Sequence, residues 1–301
     1  MPYAELDKTR AMIKIQDGCD RFCSYCIIPY ARGRVVSRPV EEIVKEVEVF
    51  AEKGIKEVVI TGIHIASYGK DFVDKSCVMP LIELLKQINS IDGIERIRLG
   101  SLEPMIITEE FIVELKNLHK ICEHFHLSLQ SGCDTVLQRM NRKYITEEFK
   151  NVVNIIRNTY SNVAITTDII VGFPGETEEE FNVTYEFLKE INFYQMHVFK
   201  YSPRKGTKAA DMPNQIDAKV KDLRSNMLIK LSKENEKEYM RGYIGKKVKV
   251  LFEQYNGHYI EGHTSNYMLV GVKEEQIKNN EIREVIIKNV VEDKLIGTVI
   301  L

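Results

Sequence analysis

The chain has 301 residues, of which 44% are hydrophobic and 29% are charged, the balance of a soluble globular protein. Its 42 basic and 44 acidic residues leave a formal net charge of −2, which excludes a protein held to nucleic acid by bulk positive charge. Because it contains neither an apolar run of about eighteen residues nor an apolar leader in residues 1–10, the sequence predicts no transmembrane helix, no secretory signal and no membrane partner.

Strand-like and helix-like segments alternate along residues 11–201. Six strand–helix units of about thirty residues each predict an α/β fold with a parallel sheet and crossover helices, here a partial (β/α)6 barrel. In such folds ligands bind at the carboxyl ends of the strands. The predicted strands are 11–16, 57–63, 95–101, 124–130, 164–172 and 194–201, and the predicted helices are 39–54, 80–90, 109–119, 135–140, 146–160 and 176–191.

The predicted secondary structure changes after a long polar helix over residues 213–241. Short alternating strands separated by Asn-Gly and Asn-Asn turns predict a small antiparallel β-barrel of about sixty residues. We therefore divide the chain into a core domain, residues 1–241, and a small barrel, residues 242–301.

Six cysteines occur along the chain, at positions 19, 23, 26, 77, 122 and 133. A chain of this length builds its core without disulfides, so the sequence predicts a reducing, cytoplasmic location with thiols kept for chemistry. Cys77, Cys122 and Cys133 have no metal-ligand spacing and are predicted to be buried, inert thiols.

The strongest signal is GCDRFCSYC, directly after the first predicted strand, which contains Cys19, Cys23 and Cys26. Three thiolates at these spacings can bind three irons of one four-iron cluster and leave the fourth iron without a protein ligand. Zinc is the alternative, but a structural zinc site needs a fourth ligand at close spacing. The nearest histidine, His64, lies in another loop. The pattern therefore favours an iron–sulfur cluster over zinc, and zinc over no metal.

Four long segments resemble the methylthiotransferases of the radical-SAM superfamily, whose hallmark is this cysteine triplet after the first strand of a partial barrel. The segment IQDGCDRFCSYCIIPYARG is most similar to the sequences of the branch that acts on N6-threonylcarbamoyladenosine in tRNA. The matching segments are KIQDGCDRFCSYCIIPYARGRVVSRP (14–39), HLSLQSGCDTVLQRMNRKY (126–144), TTDIIVGFPGETEEEF (166–181) and HVFKYSPRKGT (197–207).

The resemblance implies an enzyme that methylthiolates C2 of the modified adenine next to the anticodon. It implies a [4Fe-4S] cluster on Cys19, Cys23 and Cys26, S-adenosyl-L-methionine as second cofactor, an electron donor such as a flavodoxin-like protein, and the tRNA anticodon loop as partner. Two alternatives stay open. One is a sister branch acting on isopentenyladenosine in tRNA or on a ribosomal protein, and the other is a truncated, non-catalytic tRNA-binding remnant.

The resemblance also marks residues for S-adenosylmethionine at the ends of predicted strands. Each has a structural alternative: a strand terminus, a buried polar group paired with backbone, a solvated arginine, or a tight turn before a capped helix. The marked residues are Thr61, Gly62, Glu103, Ser128, Gln130, Arg142, Gly172 and Gly175.

The C-terminal part resembles the TRAM domain, a small RNA-binding β-barrel. Residues 219–249 hold ten Lys or Arg against four Asp or Glu, which predicts either a phosphate-contacting stripe or a solvated helix face. Four tyrosines are candidates for stacking on unpaired bases, although some of them are expected in the barrel core. They are Tyr243, Tyr255, Tyr259 and Tyr267.

Members of the resembled family carry an N-terminal domain with three further cysteines, which hold a second cluster for the inserted sulfur. Here eighteen residues precede Cys19, and none of them is cysteine. The resemblance thus implies a radical-SAM core with a TRAM-like barrel that lacks the sulfur-cluster domain. His119, His124 and His126 are interpreted as core or surface histidines rather than as a metal site.

Overall fold

The structure is a computed structural model that describes residues 9–74, 76–273 and 277–300. Residues 1–8, in which the sequence predicts no leader, and Leu301, at which the last predicted strand ends, lie outside these ranges. The described elements are β1 (Arg10–Asp17), α1 (Ile28–Arg32), β2 (Val36–Ser37), α2 (Val40–Glu52), β3 (Glu57–Gly62), α3 (Pro80–Asn89), β4 (Arg96–Leu99), α4 (Glu109–Lys116), β5 (His124–Gln130), α5 (Asp134–Arg139), α6 (Thr146–Thr159), β6 (Ala164–Val171), α7 (Glu178–Ile191), β7 (Gln195–Lys200), α8 (Ala218–Arg241), β8 (Lys247–Tyr255), β9 (Ile260–Thr264), β10 (Leu269–Val272), β11 (Ile282–Val291) and β12 (Lys294–Val299).

Six parallel strands form the larger barrel in the order in which they occur along the chain. β1 pairs with β3 and β3 with β4, while β5 pairs with β6 and β6 with β7. Between β4 and β5 the contact is two parallel bridges, Ile97 to Ile121 and Leu102 to Leu127. In the described ranges no pairing joins β7 back to β1. The sheet is therefore an open, partial (β/α)6 barrel, as predicted.

The helices bury one apolar face each against the outer face of this sheet. In α2, Ile43, Val47 and Phe50 follow helical spacing and are all buried. α7 begins after Thr177, whose side chain accepts a hydrogen bond from the Glu180 N–H as part of a capping box. No helix in the described part of the chain is long and apolar enough to cross a membrane.

The long polar helix starts later than the sequence predicts. α8 begins at Ala218 rather than at residue 213, because Asn214 has a φ of +58° and cannot continue a helix. The side chain of Asp217 then accepts a hydrogen bond from the Lys219 N–H and caps the helix.

Five strands of the C-terminal region close into a small barrel in the order β10-β12-β11-β8-β9. Four of the five pairings are antiparallel, as predicted, but β10 and β12 are parallel. Val250, Phe252, Val270, Val285 and Leu295 fill the centre and have no solvent exposure. The described structure therefore contains the predicted small barrel, and the exact boundary at residues 241 and 242 stays a prediction.

The small barrel covers the end of the large barrel at which the parallel strands begin. Arg96 of β4 donates to the His263 carbonyl at 2.8 Å, and Arg98 donates to the Ser265 carbonyl at 2.9 Å. Asn280 donates through its amide to the Gly54 carbonyl. The opposite end of the large barrel, where the strands finish, is left for ligands.

A buried ion cluster lies at this junction. Glu57 is fully buried and accepts hydrogen bonds at 2.8 Å from Arg10 Nε and from Arg98 Nε. Arg96 lies 3.6 Å from the same carboxylate. Arg10 also pairs with Glu253 of β8, so the cluster ties the two barrels together. We call Arg10, Glu57, Arg96 and Arg98 the basal cluster.

The four candidate tyrosines lie in different environments. Tyr243 is 6% exposed and belongs to the core that the small barrel shares with the large one. Tyr267 stacks on His124 of β5, with ring centroids 5.4 Å apart. Tyr255 is 65% exposed, and Tyr259 is half-buried beside two lysines. Tyr243 is therefore a core residue, whereas Tyr255, Tyr259 and Tyr267, which is 39% exposed, keep solvent-accessible ring surface.

Candidate active site at the carboxyl ends of the strands

The three cysteines of the triplet lie in the loop after β1, at the carboxyl end of the partial barrel. Gly18 starts the loop with a φ of +69°, and a Cβ there would lie 1.8 Å from a backbone carbonyl oxygen, so the position requires glycine. The Cys19 N–H donates to the Gly33 carbonyl at 3.1 Å, and the Cys26 N–H donates to the Cys23 carbonyl at 3.0 Å. These bonds hold all three thiols on one short loop.

The thiols fit a cluster better than a single zinc ion. All three are free and half-buried, and burial raises the pKa of Cys19 and of Cys26, so their thiolates need a cation. The triplet supplies three ligands, one fewer than the four that a structural zinc site takes. His64 already uses both ring nitrogens, toward Ser67 Oγ at 2.7 Å and Glu103 Oε2 at 3.0 Å.

Glu103 joins the cluster loop to the strand ends. Its carboxylate contacts His64, forms an ion pair with Arg21 and lies 3.9 Å from Arg142 Nη2. Arg142 Nη1 in turn donates to Cys23 Sγ at 3.4 Å. Burial raises the pKa of the Glu103 carboxyl, but its three partners together bring that pKa below the usual value. The predicted residues Glu103 and Arg142 are thus brought together with the triplet, and their contact with S-adenosylmethionine stays a prediction.

Ser128 and Gln130 end β5 on the inner face of the barrel. The Ser128 carbonyl accepts from Arg142 Nη2 at 3.0 Å and from the Tyr144 hydroxyl. Gln130 is buried and has a φ of +74°, an uncommon backbone conformation for a residue other than glycine. Both residues lie beside the cluster loop, and their contact with S-adenosylmethionine stays a prediction.

Thr61 and Gly62 end β3 next to β1. A Cβ at Gly62 would lie 2.9 Å from the Gln16 carbonyl oxygen, so close packing of the two strands explains the glycine. The buried Gln16 side chain accepts from the His64 N–H at 2.7 Å and thereby fixes the following loop. A role of Thr61 and Gly62 in binding the methionine amino group stays a prediction.

Gly172 and Gly175 lie in the turn between β6 and α7. The Gly172 N–H donates to Glu176 Oε2 at 2.7 Å, and the Gly175 N–H donates to the Asn214 carbonyl at 2.9 Å. Arg224 of α8 pairs with the same Glu176 carboxylate at 2.6 Å. The structure thus shows a closed, capped turn in which these N–H groups already have partners, and contact with the cofactor's adenosine stays a prediction.

A cleft of about 310 Å³ opens beside the cluster loop at the ends of β5, β6 and β7. Its lining includes Cys26, Gln130, Asp168, Phe199 and Arg204. A larger cavity of about 590 Å³ lies on the other side of Glu103. Cys26 of the triplet lines the smaller cleft, and Arg21 and Glu103 line the larger cavity.

Sequence reasoning missed a polar group whose member Asp168 lines this cleft. Ligand atoms of His126, Asp168 and His197 lie within 4.8 Å of one another, although the three residues come from β5, β6 and β7. The signal was the polar pair Thr166 and Asp168 in the otherwise apolar AITTDIIV strand. Of the remaining cysteines, Cys122 and Cys133 are buried as predicted, but Cys77 is exposed, because it lies in the long segment between β3 and α3.

The fold and the triplet define the class of protein. Residues 13–188, which run from β1 into α7, match the Radical SAM superfamily, and the chain belongs to this superfamily. The predicted cofactors, a [4Fe-4S] cluster and S-adenosylmethionine, are confirmed by this membership. The fold is also similar to coproporphyrinogen III oxidase (HemN) from Escherichia coli, with a TM-score of 0.58, 16% identity and coverage of 77% of this chain and 54% of that one.

Within the superfamily, the similar curated relatives are tRNA methylthiotransferases. The threonylcarbamoyladenosine tRNA methylthiotransferase MtaB of Bacillus subtilis (strain 168) is 44% identical over 89% of this chain and 60% of its own length. The tRNA-2-methylthio-N(6)-dimethylallyladenosine synthase of Caldicellulosiruptor saccharolyticus is 42% identical over 91% of this chain and 58% of its own length. The chain therefore spans about three fifths of the length of these relatives.

Proposed function

We propose that this chain carries the radical-SAM and RNA-binding parts of a tRNA methylthiotransferase that acts on C2 of N6-threonylcarbamoyladenosine next to the anticodon. The observation that carries the proposal is the half-buried three-thiol loop beside a cleft at the strand ends. The similarity to the B. subtilis relative supports the substrate class. We expect the protein to act in the cytoplasm with a small electron-transfer protein as reductant.

The chemistry of the target bond supports the need for this cofactor pair. The C2 proton of adenine is not acidic enough for a general base to remove it. When bound, the cluster and S-adenosylmethionine supply a carbon radical that can break such a bond. Cys19, Cys23 and Cys26 would hold the cluster, and Glu103 with Arg142 would orient the amino acid end of S-adenosylmethionine.

The sister branch acting on dimethylallyladenosine is the second candidate. Its support is the C. saccharolyticus relative, whose identity to this chain is 42%, against 44% for the threonylcarbamoyl relative. The two substrates share the adenine ring and differ in the N6 substituent, so the same cluster and cleft suit either one.

Mass spectrometry of tRNA separates the candidates. The chain is expressed in cells whose own methylthiotransferase genes are deleted, and the nucleosides of total tRNA are analysed. We expect the 2-methylthio derivative of N6-threonylcarbamoyladenosine, which should be absent when a Cys19→Ala variant is expressed instead. Detection of the 2-methylthio derivative of the dimethylallyl nucleoside would assign the chain to the sister branch. Absence of both products would support a non-catalytic remnant.

We further propose that the outer surface of the small barrel binds the tRNA backbone. Lys246, Lys247 and Lys249 are exposed at its start, and the exposed Tyr255 ends β8. Not all of the basic stripe contributes, because Arg224 is buried against the turn before α7.

Removing two of these lysines should lower the salt dependence of tRNA binding. Each lost phosphate contact removes about 0.7 to 0.9 from the slope of log affinity against log salt. The double variant Lys247→Ala and Lys249→Ala should therefore lose about 1.4 to 1.8 from the slope measured with an anticodon stem-loop. The control, Lys45→Ala with Lys86→Ala, removes the same charge from α2 and α3 and should keep the slope. Equal slopes for wild type and the β8 variant would place the RNA surface elsewhere.

A further inference from the structure

The polar group on the cleft contains one carboxylate that nothing in the cluster network uses. Asp168 lies in the middle of β6, in register with His197 of β7, and its side chain is 28% exposed. Its side-chain partner among the described residues is His126, whose Nε2 lies 3.3 Å from Asp168 Oδ2. The other lone pairs of the carboxylate are available to a ligand in the cleft.

A chain of hydrogen bonds fixes His126 and, through it, Asp168. The His126 Nδ1 lies 3.0 Å from Thr166 Oγ1, and the same hydroxyl lies 3.1 Å from His124 Nε2. Burial, assisted by the charge of Arg98, lowers the pKa of His124, so this ring is neutral. His124 Nδ1 is buried and has no partner in the described structure.

These contacts determine which atom donates and which accepts in each of these hydrogen bonds. A buried N–H without a partner costs more than an unpaired ring nitrogen lone pair, so the proton of His124 belongs on Nε2, which donates to Thr166. The Thr166 hydroxyl then donates to His126 Nδ1, and His126 Nε2–H donates to Asp168. Asp168 is thereby held as a hydrogen-bond acceptor at a fixed point of the cleft wall.

The rest of the cleft suits a flat ring. Phe199 of β7 lines it and is 53% exposed, which is unusual for phenylalanine and leaves its ring available for stacking. The volume of about 310 Å³ is at the lower end of the about 300–1,000 Å³ typical of small-molecule sites. Cys26 lines the same cleft, so a ring bound there lies beside the cluster loop.

We propose that Asp168 binds the N6–H group of the adenine to be modified, with the purine ring against Phe199. This inference rests on the proposed function and deepens it. A monosubstituted N6 carries one N–H donor, which the Asp168 carboxylate can accept. Phe199 and Asp168 together therefore select a purine with an exocyclic N–H and orient its C2 edge within the cleft.

The test compares two RNA stem-loops whose target adenine carries deuterium at C2. In one, N6 has a single substituent and therefore an N–H; in the other, an added N6-methyl group removes it. Wild type, Asp168→Ala and the exposed control Asp92→Ala, which lies in the loop before β4, are reconstituted with cluster. The readout is kcat/KM for deuterium transfer into 5′-deoxyadenosine, which requires no sulfur donor, together with the affinity for each RNA.

Wild type and Asp92→Ala should prefer the RNA with the N–H by about 10- to 100-fold in kcat/KM, the usual effect of one hydrogen bond to a charged group. Asp168→Ala should lose this preference and bind both RNAs with equal, weaker affinity. Two results overturn the inference alone: an unchanged preference in Asp168→Ala, or one tightly bound divalent ion per chain that only this variant loses, since the carboxylate would then be a metal ligand. No deuterium transfer by wild type overturns the proposed function and this inference with it.

Discussion

Replacing Cys23 with alanine should abolish the visible absorbance of the cluster and all cleavage of S-adenosylmethionine. The substitution removes one of the three thiolates that the triplet offers to the cluster. His64 is already committed to Ser67 and Glu103, and Arg142, which donates to Cys23 Sγ, is a cation and cannot bind iron. Iron content, the visible spectrum and 5′-deoxyadenosine are the measurements.

The same variant should fold normally before iron is added. Cys23 is half-buried on a loop and belongs to none of the apolar clusters that form the core. Its removal should change the free energy of unfolding of the metal-free protein by no more than about 0.5 kcal/mol. Cys77→Ala, at an exposed thiol, is the matched control and should keep both cluster and activity. A Cys23→Ala protein that retains a full cluster would contradict the assignment of the triplet.

The largest loss of stability should follow from Glu57→Gln in the basal cluster. Glu57 is fully buried, and its carboxylate binds Arg10 and Arg98 at 2.8 Å. Removing its charge leaves the buried guanidinium group of Arg98 without its counter-ion, which costs about 3–5 kcal/mol. Chemical denaturation measures the difference, and Glu281→Gln, which breaks the exposed pair with Arg283, should cost no more than about 1 kcal/mol.

The pH dependence of stability gives an independent check on Glu57. Burial raises the pKa of this carboxyl, but the charges of Arg98 and Arg10 outweigh burial and lower it from 4.5 to about 2. A depressed pKa contributes stability above pH 4.5 that is lost as the pH falls toward 2, about 3 kcal/mol over the full range. The Glu57→Gln variant should lack this part of the acid transition. Parallel acid transitions in both proteins would show that Glu57 is not ionised in the folded state.

The sequence predicts the larger architecture because its signals are local and periodic. The βα units, the triplet after β1 and the small barrel all follow from runs of residues that are close in sequence. The predicted start of α8 was wrong. The positive φ of Asn214 and the cap at Asp217 are properties of single residues within a polar stretch, and the hydrophobic pattern does not reveal them. The β10–β12 pairing was also missed, because a parallel closing pair depends on barrel closure and not on local pattern.

The composition of the site depends on contacts between strands that lie far apart in sequence. Thr166 faces His126 only because β5 and β6 pair in one particular register, which the separate sequences of the strands do not specify. The environment of the Tyr267 ring likewise depends on where the small barrel docks, since this ring stacks on His124 of the large barrel. Motif resemblance located Glu103 and Arg142, but the contacts of Arg142 with Glu103 and with Cys23 depend on the folded structure.

The most direct test of the account is anaerobic cleavage of S-adenosylmethionine. The chain is reconstituted with iron and sulfide, its cluster is verified by spectroscopy, and dithionite is added together with S-adenosylmethionine. We predict that 5′-deoxyadenosine and methionine form in equal amounts, and that a Cys19→Ala protein treated in the same way forms neither. An intact, reduced cluster that yields no 5′-deoxyadenosine would contradict the assignment of radical chemistry to this site.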